Sequence, residues 1–518
     1  MMNEINEMLN NRQTTENGAV GFKTTHNNLV DINFALPSLR NGLTQEIIDK
    51  FKESINEDVE TCAKFLFFVR DAREGVGERN IFKNLYKVFY ETKPVEAVAL
   101  LSLIGEYGRW DDIVNIAFTS DTNLKMECFK IIESQLKSDT LNCVNNKHIS
   151  LCAKWIPSIN ASAKARKQAI ELCNFLQMSK GSYRKMLSKL REYLDVTERK
   201  TCANDWSAID YNKVSSNANL RYSNSFIKHD EIRRREYLES LKKGDTSVKM
   251  NAGVLTPCEI WSKYKRTGDY SLNYYHPVIK EDDSFEMMWK NLKDMGNIGN
   301  TMCVVDGSGS MGCSIPNSSV EAIDVSRSLG VYFAEHCSGE FHNKMIEFSS
   351  RPRYIDLDGK ETLAEKIMHM NKYDACSNTD IEAVFNLILN TAIQYKIPQS
   401  EMPDRILIVS DMEFDYATTM YNCRNSVDFK PLFVKISNKF SKYRYTLPKL
   451  VFWNVNSRTN TIPLTQNEAG VVLISGYSTN LLKLVMSNQT DPWLILKETL
   501  DSERYNLISD TLKSLNND

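Results

Sequence analysis

Three short segments hold the residues whose types and spacing could do chemistry. In the run Val304-Val305-Asp306-Gly307-Ser308-Gly309-Ser310, Asp306, Ser308 and Ser310 form an Asp-x-Ser-x-Ser pattern directly after an apolar stretch. A tight loop containing glycine lets alternate side chains converge on one point. Two hydroxyls and a carboxylate make a hard, oxygen-rich site suited to Mg2+, Mn2+ or Ca2+. Ser377-Asn378-Thr379-Asp380 stands just before an apolar helical stretch, and Val409-Ser410-Asp411 closes another apolar run. In a doubly wound sheet both segments belong at neighbouring strand ends, where ligands bind.

Two hydrolytic readings of the same loop lack their parts. A haloacid-dehalogenase phosphatase needs a second Asp two residues after the first, and Ser308 stands there. A serine-hydrolase elbow needs Gly-x-Ser-x-Gly and a His after the acid. The frame around Ser310 is Ser-x-Ser-x-Gly, and no His follows His369. The chain is therefore expected to be non-catalytic. Gly75 and Gly77 are followed by Glu78-Arg79, so that motif is a turn and not a phosphate loop. Arg70, Arg73 and Arg79 fit either local ion pairs or contact with an anion, with local pairing expected, and Tyr107 to Asp112 are expected to make a helical corner.

Charge is uneven. Net charge over the 518 residues is -2, yet residues 151–250 hold 20 Lys and Arg against 11 Asp and Glu, a local balance of +9. A basic segment in a neutral chain suggests an anion-binding surface. The candidates are Lys164, Arg166, Lys167, Arg184, Lys185 and Lys189, with a second group at Arg233, Arg234 and Arg235. Lys and Arg on helices also serve simply as a solvated face. Tyr183, Trp206, Tyr211 and Tyr222 fit either stacking on unpaired bases or a place in the core.

The elements that must position these residues divide near 290. Residues 1–43 are rich in Asn and Thr and read as a loose arm. From 44 to 290 the apolar spacing is helical: Ile81, Phe82, Leu85, Val88 and Phe89 share one face. Pro94 opens the next helix, and Asp121 caps another. Successive helices with short polar links predict a helical-repeat domain. From 291 to 490, short apolar strands alternate with helices, predicting a doubly wound α/β sheet. Expected strands are 302–305, 345–348, 354–357, 406–409, 450–453 and 471–474, with helices at 320–333 and 381–395. Residues 491–518 read as a helical tail.

The twelve cysteines are scattered without a Cys-x-x-Cys pair, as in a reducing compartment. No stretch approaches the length of a membrane helix, and the first residues lack the character of a secretory signal. The expected location is the cytoplasm.

The Asp306, Ser308, Ser310, Thr379 and Asp411 set resembles the metal-ion-dependent adhesion site of the von Willebrand factor type A family. That resemblance implies direct ligation by Ser308 and Ser310, with Thr379 direct or through water. It implies that Asp306 and Asp411 act through bound waters, and that one position stays open for an acidic partner group. Mg2+ is the expected ion, with Mn2+ or Ca2+ as alternatives. A helical-repeat domain followed by such a module resembles the Ro autoantigen (TROVE) family, and more closely its uncharacterised Ro-like members. The matching pieces are Arg73 to Arg79, Tyr107 to Asp112, Lys154 to Pro157 and Ser410 to Phe414. The resemblance implies binding of single-stranded ends or small structured RNA by the helical domain. The alternative is a protein-interaction adaptor, or a component of a large assembly, that takes a partner carboxylate at the metal.

Overall fold

A computed structural model describes residues 10–18, 20–271, 277–373, 379–414, 429–465 and 470–515. The chain packs as two units. One comprises residues 1–44 and 250–499, and the other residues 45–249 and 500–518.

The first unit is built on a mainly parallel sheet. Two short antiparallel strands, β1 (Arg12–Thr14) and β2 (Val20–Phe22), precede it. The sheet strands are β3 (Thr301–Asp306), β4 (Lys344–Phe348), β5 (Arg353–Asp356), β6 (Arg405–Ser410), β7 (Lys449–Asn454) and β8 (Val471–Ser475). Their order is β5-β4-β3-β6-β7-β8, with β5 antiparallel at one edge and all other pairs parallel. Strands covered on both faces need apolar residues at every position, not at alternate ones. Accordingly β3, β7 and β8 are buried along their whole length. Helix Ala322–His336 lies close on β3, because a Cβ at Gly330 would come within 2.2 Å of Val305 Cγ1. The chain leaves β3 toward β4 and leaves β6 toward β7. The carboxyl ends of β3 and β6 therefore flank the topological switch point, where such sheets open a crevice.

The loose arm expected at 1–43 is corrected for its described part. Helix Asn28–Ala35 is buried over residues 29–35 and packs against β8. Asn454 Nδ2 donates to Phe34 O at 2.8 Å, and Ser475 Oγ donates to Asn33 O. Phe22 exchanges backbone hydrogen bonds with Ile462 at 2.9 Å in each direction. The apolar residues Leu29, Val30, Ile32, Phe34, Leu36 and Leu39 are the cause. The division also falls at 250 and not at 290. Helices Pro257–Lys265 and Asp283–Lys290 belong with the sheet: Ser262 donates to Asp324 at 2.7 Å and Trp289 Nε1 to Glu335 at 2.9 Å.

The second unit is helical. Its principal helices are Gln45–Glu57, Val59–Arg70, Asn80–Thr92, Pro94–Leu100, Trp110–Thr119, Thr122–Val144, Ala163–Phe175, Lys180–Tyr193, Ser216–His229, Glu231–Lys242 and Asn506–Leu515. Asp121 caps its helix by accepting from Leu124 N at 2.8 Å. The glycine motif is a turn, as expected. Arg70 Nε donates to Asp112 Oδ2 at 2.7 Å, both side chains buried, and so joins that turn to the 107–112 corner. Gly108 is required there, since a Cβ would sit 2.9 Å from Arg70 Nε and 2.8 Å from Asp112 Oδ2. The tail beyond 500 packs within this unit. Arg504 pairs with Asp71 and Glu106 at 2.8 Å each, and Tyr505 stacks on Tyr107 with ring centroids 5.7 Å apart.

Candidate metal centre and basic face

The switch point gathers four of the five sequence candidates. Asp306, at the end of β3, is buried, and its Oδ1 accepts from Ser308 N at 2.8 Å. That bond bends the chain so that Ser308 and Ser310 face one point, with their hydroxyls 3.0 Å apart. Its other oxygen accepts from Ser410 Oγ at 2.5 Å, across from β6. Ser326, from helix Ala322–His336, clamps both strands: its hydroxyl accepts from Asp306 N at 3.0 Å and donates to Val409 O at 2.9 Å. Asp411 follows directly and is 1% exposed.

Burial and a neighbouring like charge dominate the electrostatics of Asp411. Its Oδ2 is buried and has no hydrogen-bond partner among the described residues. Arg458 Nη2 lies 3.6 Å away, an ion pair beyond hydrogen-bond length. Burial, and then the Asp306 charge, push the Asp411 carboxyl up to about 7, against the opposing Glu413 N–H, Ser310 hydroxyl and Arg458. Two carboxylates held this close in a dry site call for positive charge. The donors are oxygens throughout, which suits a hard divalent cation. Among the described residues no group of three or more His, Cys, Asp or Glu side chains could hold a metal, so an ion here depends on the serine hydroxyls.

Thr379 is buried immediately ahead of Asp380, which caps helix Ile381–Tyr395. Ser377 and Asn378 lie outside the described residues. Tyr373, the last described residue before them, lies beside the Asp306 loop: a Cβ at Gly307 would lie 3.3 Å from Tyr373 O, and buried Arg327 donates to that same carbonyl at 2.9 Å.

Sequence reasoning missed the support of a second loop. Glu413 is 2% exposed, and its Oε1 accepts from Arg458 N at 2.7 Å, Thr459 N at 2.9 Å and Ser457 Oγ at 3.1 Å. Its Oε2 accepts from Glu16 N at 2.8 Å. Met412, between Asp411 and Glu413, adopts φ 62°, which turns the two carboxylates apart. The run of acids at 411 and 413 was the signal in the sequence, and Arg458 had none.

In the helical unit the basic candidates separate into two groups. Lys164, Arg166 and Lys167 on helix Ala163–Phe175, and Arg184, Lys185 and Lys189 on helix Lys180–Tyr193, are all exposed. The two helices adjoin and bury Ala169, Leu172 and Cys173 and Tyr183, Leu187 and Leu190 respectively. Residues 162–193 hold eight basic residues and two acids, Glu171, which pairs with Lys125 at 3.0 Å, and Glu192, which pairs with Arg199 at 2.9 Å. Neither helix has an acid in its first turn, so cations sit at the positive ends of both dipoles.

The second group is corrected. Arg234 is 0% exposed, with its guanidinium 4.9 Å from the Tyr211 ring and 5.2 Å from both Phe226 and Tyr237. Arg233 donates to Ser207 O and Ile209 O at 2.8 Å each and pairs with Asp230 at 2.9 Å. Arg235 pairs with Glu231 at 2.8 Å. Arg234 packs against helix Ser216–His229, Arg233 fastens the loop at 206–209, and Arg235 lies along its own helix. Of the aromatic candidates, Tyr183 and Tyr211 are buried, while Trp206 and Tyr222 are half-buried. Tyr183 donates to Pro157 O at 2.8 Å, and Trp206 stacks on exposed His229 with centroids 4.6 Å apart. No helix among the described residues is long and apolar enough to cross a membrane.

Comparison with known proteins finds no relative of described function by sequence. A model described as a domain of unknown function (DUF7788) matches residues 300–505, and another (DUF2828) matches residues 162–299. A protein of Acanthamoeba polyphaga mimivirus, described as uncharacterized protein L728, is 29% identical over 533 residues, spanning 95% of this chain and 87% of its own. Among solved structures, the Ro (RSR) protein of Deinococcus radiodurans is similar over 92% of this chain and 99% of its own, at 11% identity and a TM-score of 0.42.

Proposed function

We propose that this chain is a non-catalytic RNA-binding protein whose helical unit holds single-stranded or small structured RNA. The observation that carries the proposal is the paired basic face of helices Ala163–Phe175 and Lys180–Tyr193, whose cations are exposed and whose two acids, Glu171 and Glu192, pair with Lys125 and Arg199. Such a face attracts phosphates and releases their counterions, so binding weakens steeply with salt. The choice of RNA among polyanions rests on the resemblance of the chain's motifs and layout to the Ro family. Half-buried Trp206, stacked on His229 over one face, and Tyr222 would be the rings that meet unpaired bases. The test is a titration of single-stranded RNA across a salt series with the wild-type chain and a Lys164→Glu, Arg166→Glu, Lys167→Glu variant. Loss of affinity in the variant supports the proposal.

The sheet unit supports a second role, capture of an acidic partner through a divalent ion, with Mg2+ the expected one. Ser308, Ser310, Thr379, Asp306 and Asp411 would hold the ion. When bound it would supply an electrophilic position for a carboxylate. The unpartnered buried Oδ2 of Asp411 favours this reading. Loss of Mn2+ binding in Asp306→Ala or Ser308→Ala tests it.

A further inference from the structure

The charge that faces Asp411 comes from this chain itself. Arg458 is 34% exposed and reaches three groups at the rim of the site. Its Nη2 lies 3.6 Å from Asp411 Oδ2, its Nη1 4.0 Å from the exposed Cys313 sulfur, and its Nε donates to Glu16 Oε2. Asp411 is 1% exposed, whereas the Glu16 side chain is 56% exposed. One guanidinium thus stands between a buried acid and a solvated one.

Its position is built in. Glu413 accepts from Arg458 N at 2.7 Å and from Glu16 N at 2.8 Å, so a single buried carboxylate fixes the backbones of the guanidinium and of its outer acceptor. Ser457 N donates to Asn454 Oδ1 at 2.8 Å, which fastens the same loop to the end of β7. None of these bonds uses the Arg458 side chain, so the side chain can be changed while the loop stays in place.

We propose that Arg458 is a built-in competitor for the divalent cation. Its guanidinium balances the Asp411 charge and yields it when the ion binds, keeping Glu16 as its partner. This inference rests on the reading of Asp306, Ser308, Ser310 and Asp411 as a divalent site. A unit charge this close to a cation in a poorly solvated site opposes its binding. By linkage, anything that pulls the guanidinium outward favours the ion, and the two effects are reciprocal.

The test is Mn2+ binding alone, followed by calorimetry and electron paramagnetic resonance on the full chain. Arg458→Gln should bind Mn2+ roughly tenfold tighter than wild type, within the usual range of such couplings. Glu16→Gln should bind it several-fold weaker, because the guanidinium then loses its solvated carboxylate and is held more firmly at Asp411. The double variant should behave as Arg458→Gln, since Glu16 acts only through Arg458. Thermal melting establishes that each variant is folded, and Arg458→Lys, which keeps the charge, should stay near wild type. Unchanged or weaker binding in Arg458→Gln, or tighter binding in Glu16→Gln, overturns the inference. If wild type and Asp411→Asn bind Mn2+ equally, or no variant binds it, the divalent-site reading falls and the inference with it.

Discussion

Ser410 Oγ donates to Asp306 Oδ2 at 2.5 Å, joining the last residue of β6 to the last residue of β3. The two residues are 104 positions apart in the chain, and both are buried. The same hydroxyl accepts from Met412 N at 3.0 Å, so it fixes the backbone that carries Asp411. Ser410→Ala leaves a buried carboxylate oxygen and an amide short of a partner. The expected cost is about 2 kcal/mol, since hydrogen bonds to charged groups are worth roughly twice neutral ones. Urea unfolding of the two proteins measures it.

The oxygen-rich site predicts linkage between metal and stability. An ion that binds only the folded chain stabilises it by about 2.7 kcal/mol at a concentration 100-fold above its dissociation constant. Mn2+ or Mg2+ should therefore raise the melting temperature of wild type, and chelation should reverse the rise. Ser308→Ala with Ser310→Ala should melt at one temperature with or without the ion.

Much of this site was legible in the sequence because its geometry is local. The Asp-x-Ser-x-Ser loop needs only one strand end, and buried parallel strands advertise themselves as unbroken apolar runs. The expected strands at 302–305, 406–409, 450–453 and 471–474 each lie within the observed ones. Helix Asn28–Ala35 was not legible. Seven of its eight residues are buried, Asp31 and Asn33 among them, so it has no polar face to set a period. Arg234 was misread among three consecutive arginines. Its spacing to Tyr237 and Leu238, three and four residues on, places it on the buried face, and only the helix register distinguishes it. The role of Arg458 depends on Glu16 and Asp411, residues distant in sequence, and no local pattern announces it.

The helical unit should depend heavily on one buried ion pair. Arg70 and Asp112 are 2% and 3% exposed in their side chains, at 2.7 Å. Removing one partner strands the other's charge, at a cost of about 3–5 kcal/mol. Asp112→Ala should lower the stability of residues 45–249 by that order, read from chemical denaturation. Arg73→Ala, whose side chain is 61% exposed and pairs with Glu106, should change it by less than about 1 kcal/mol.

Docking of the last helix should weaken in acid. Glu106 is held below its ordinary value of 4.5 chiefly by its hydrogen bond from Arg504, and Glu60 chiefly by its hydrogen bond from Ser509. Acids whose folded values are depressed contribute stability above the ordinary value and lose it as pH falls through the folded one. Hydrogen exchange across residues 503–515, corrected for intrinsic rates, should be slow at pH 6 and should accelerate as pH falls below the ordinary value of 4.5. Equal protection at both would show that apolar packing alone holds this helix.

The most direct test of the central claim is the affinity of the full chain for a single-stranded RNA oligonucleotide across a salt series. The account predicts measurable binding at low salt that falls linearly on a log–log plot. Reversing Lys164, Arg166 and Lys167 together should weaken it and reduce the slope by about 2, at roughly 0.7 per lost phosphate contact. No binding at low salt, or affinity and slope untouched by the triple reversal, would contradict an RNA platform on helices 163–175 and 180–193.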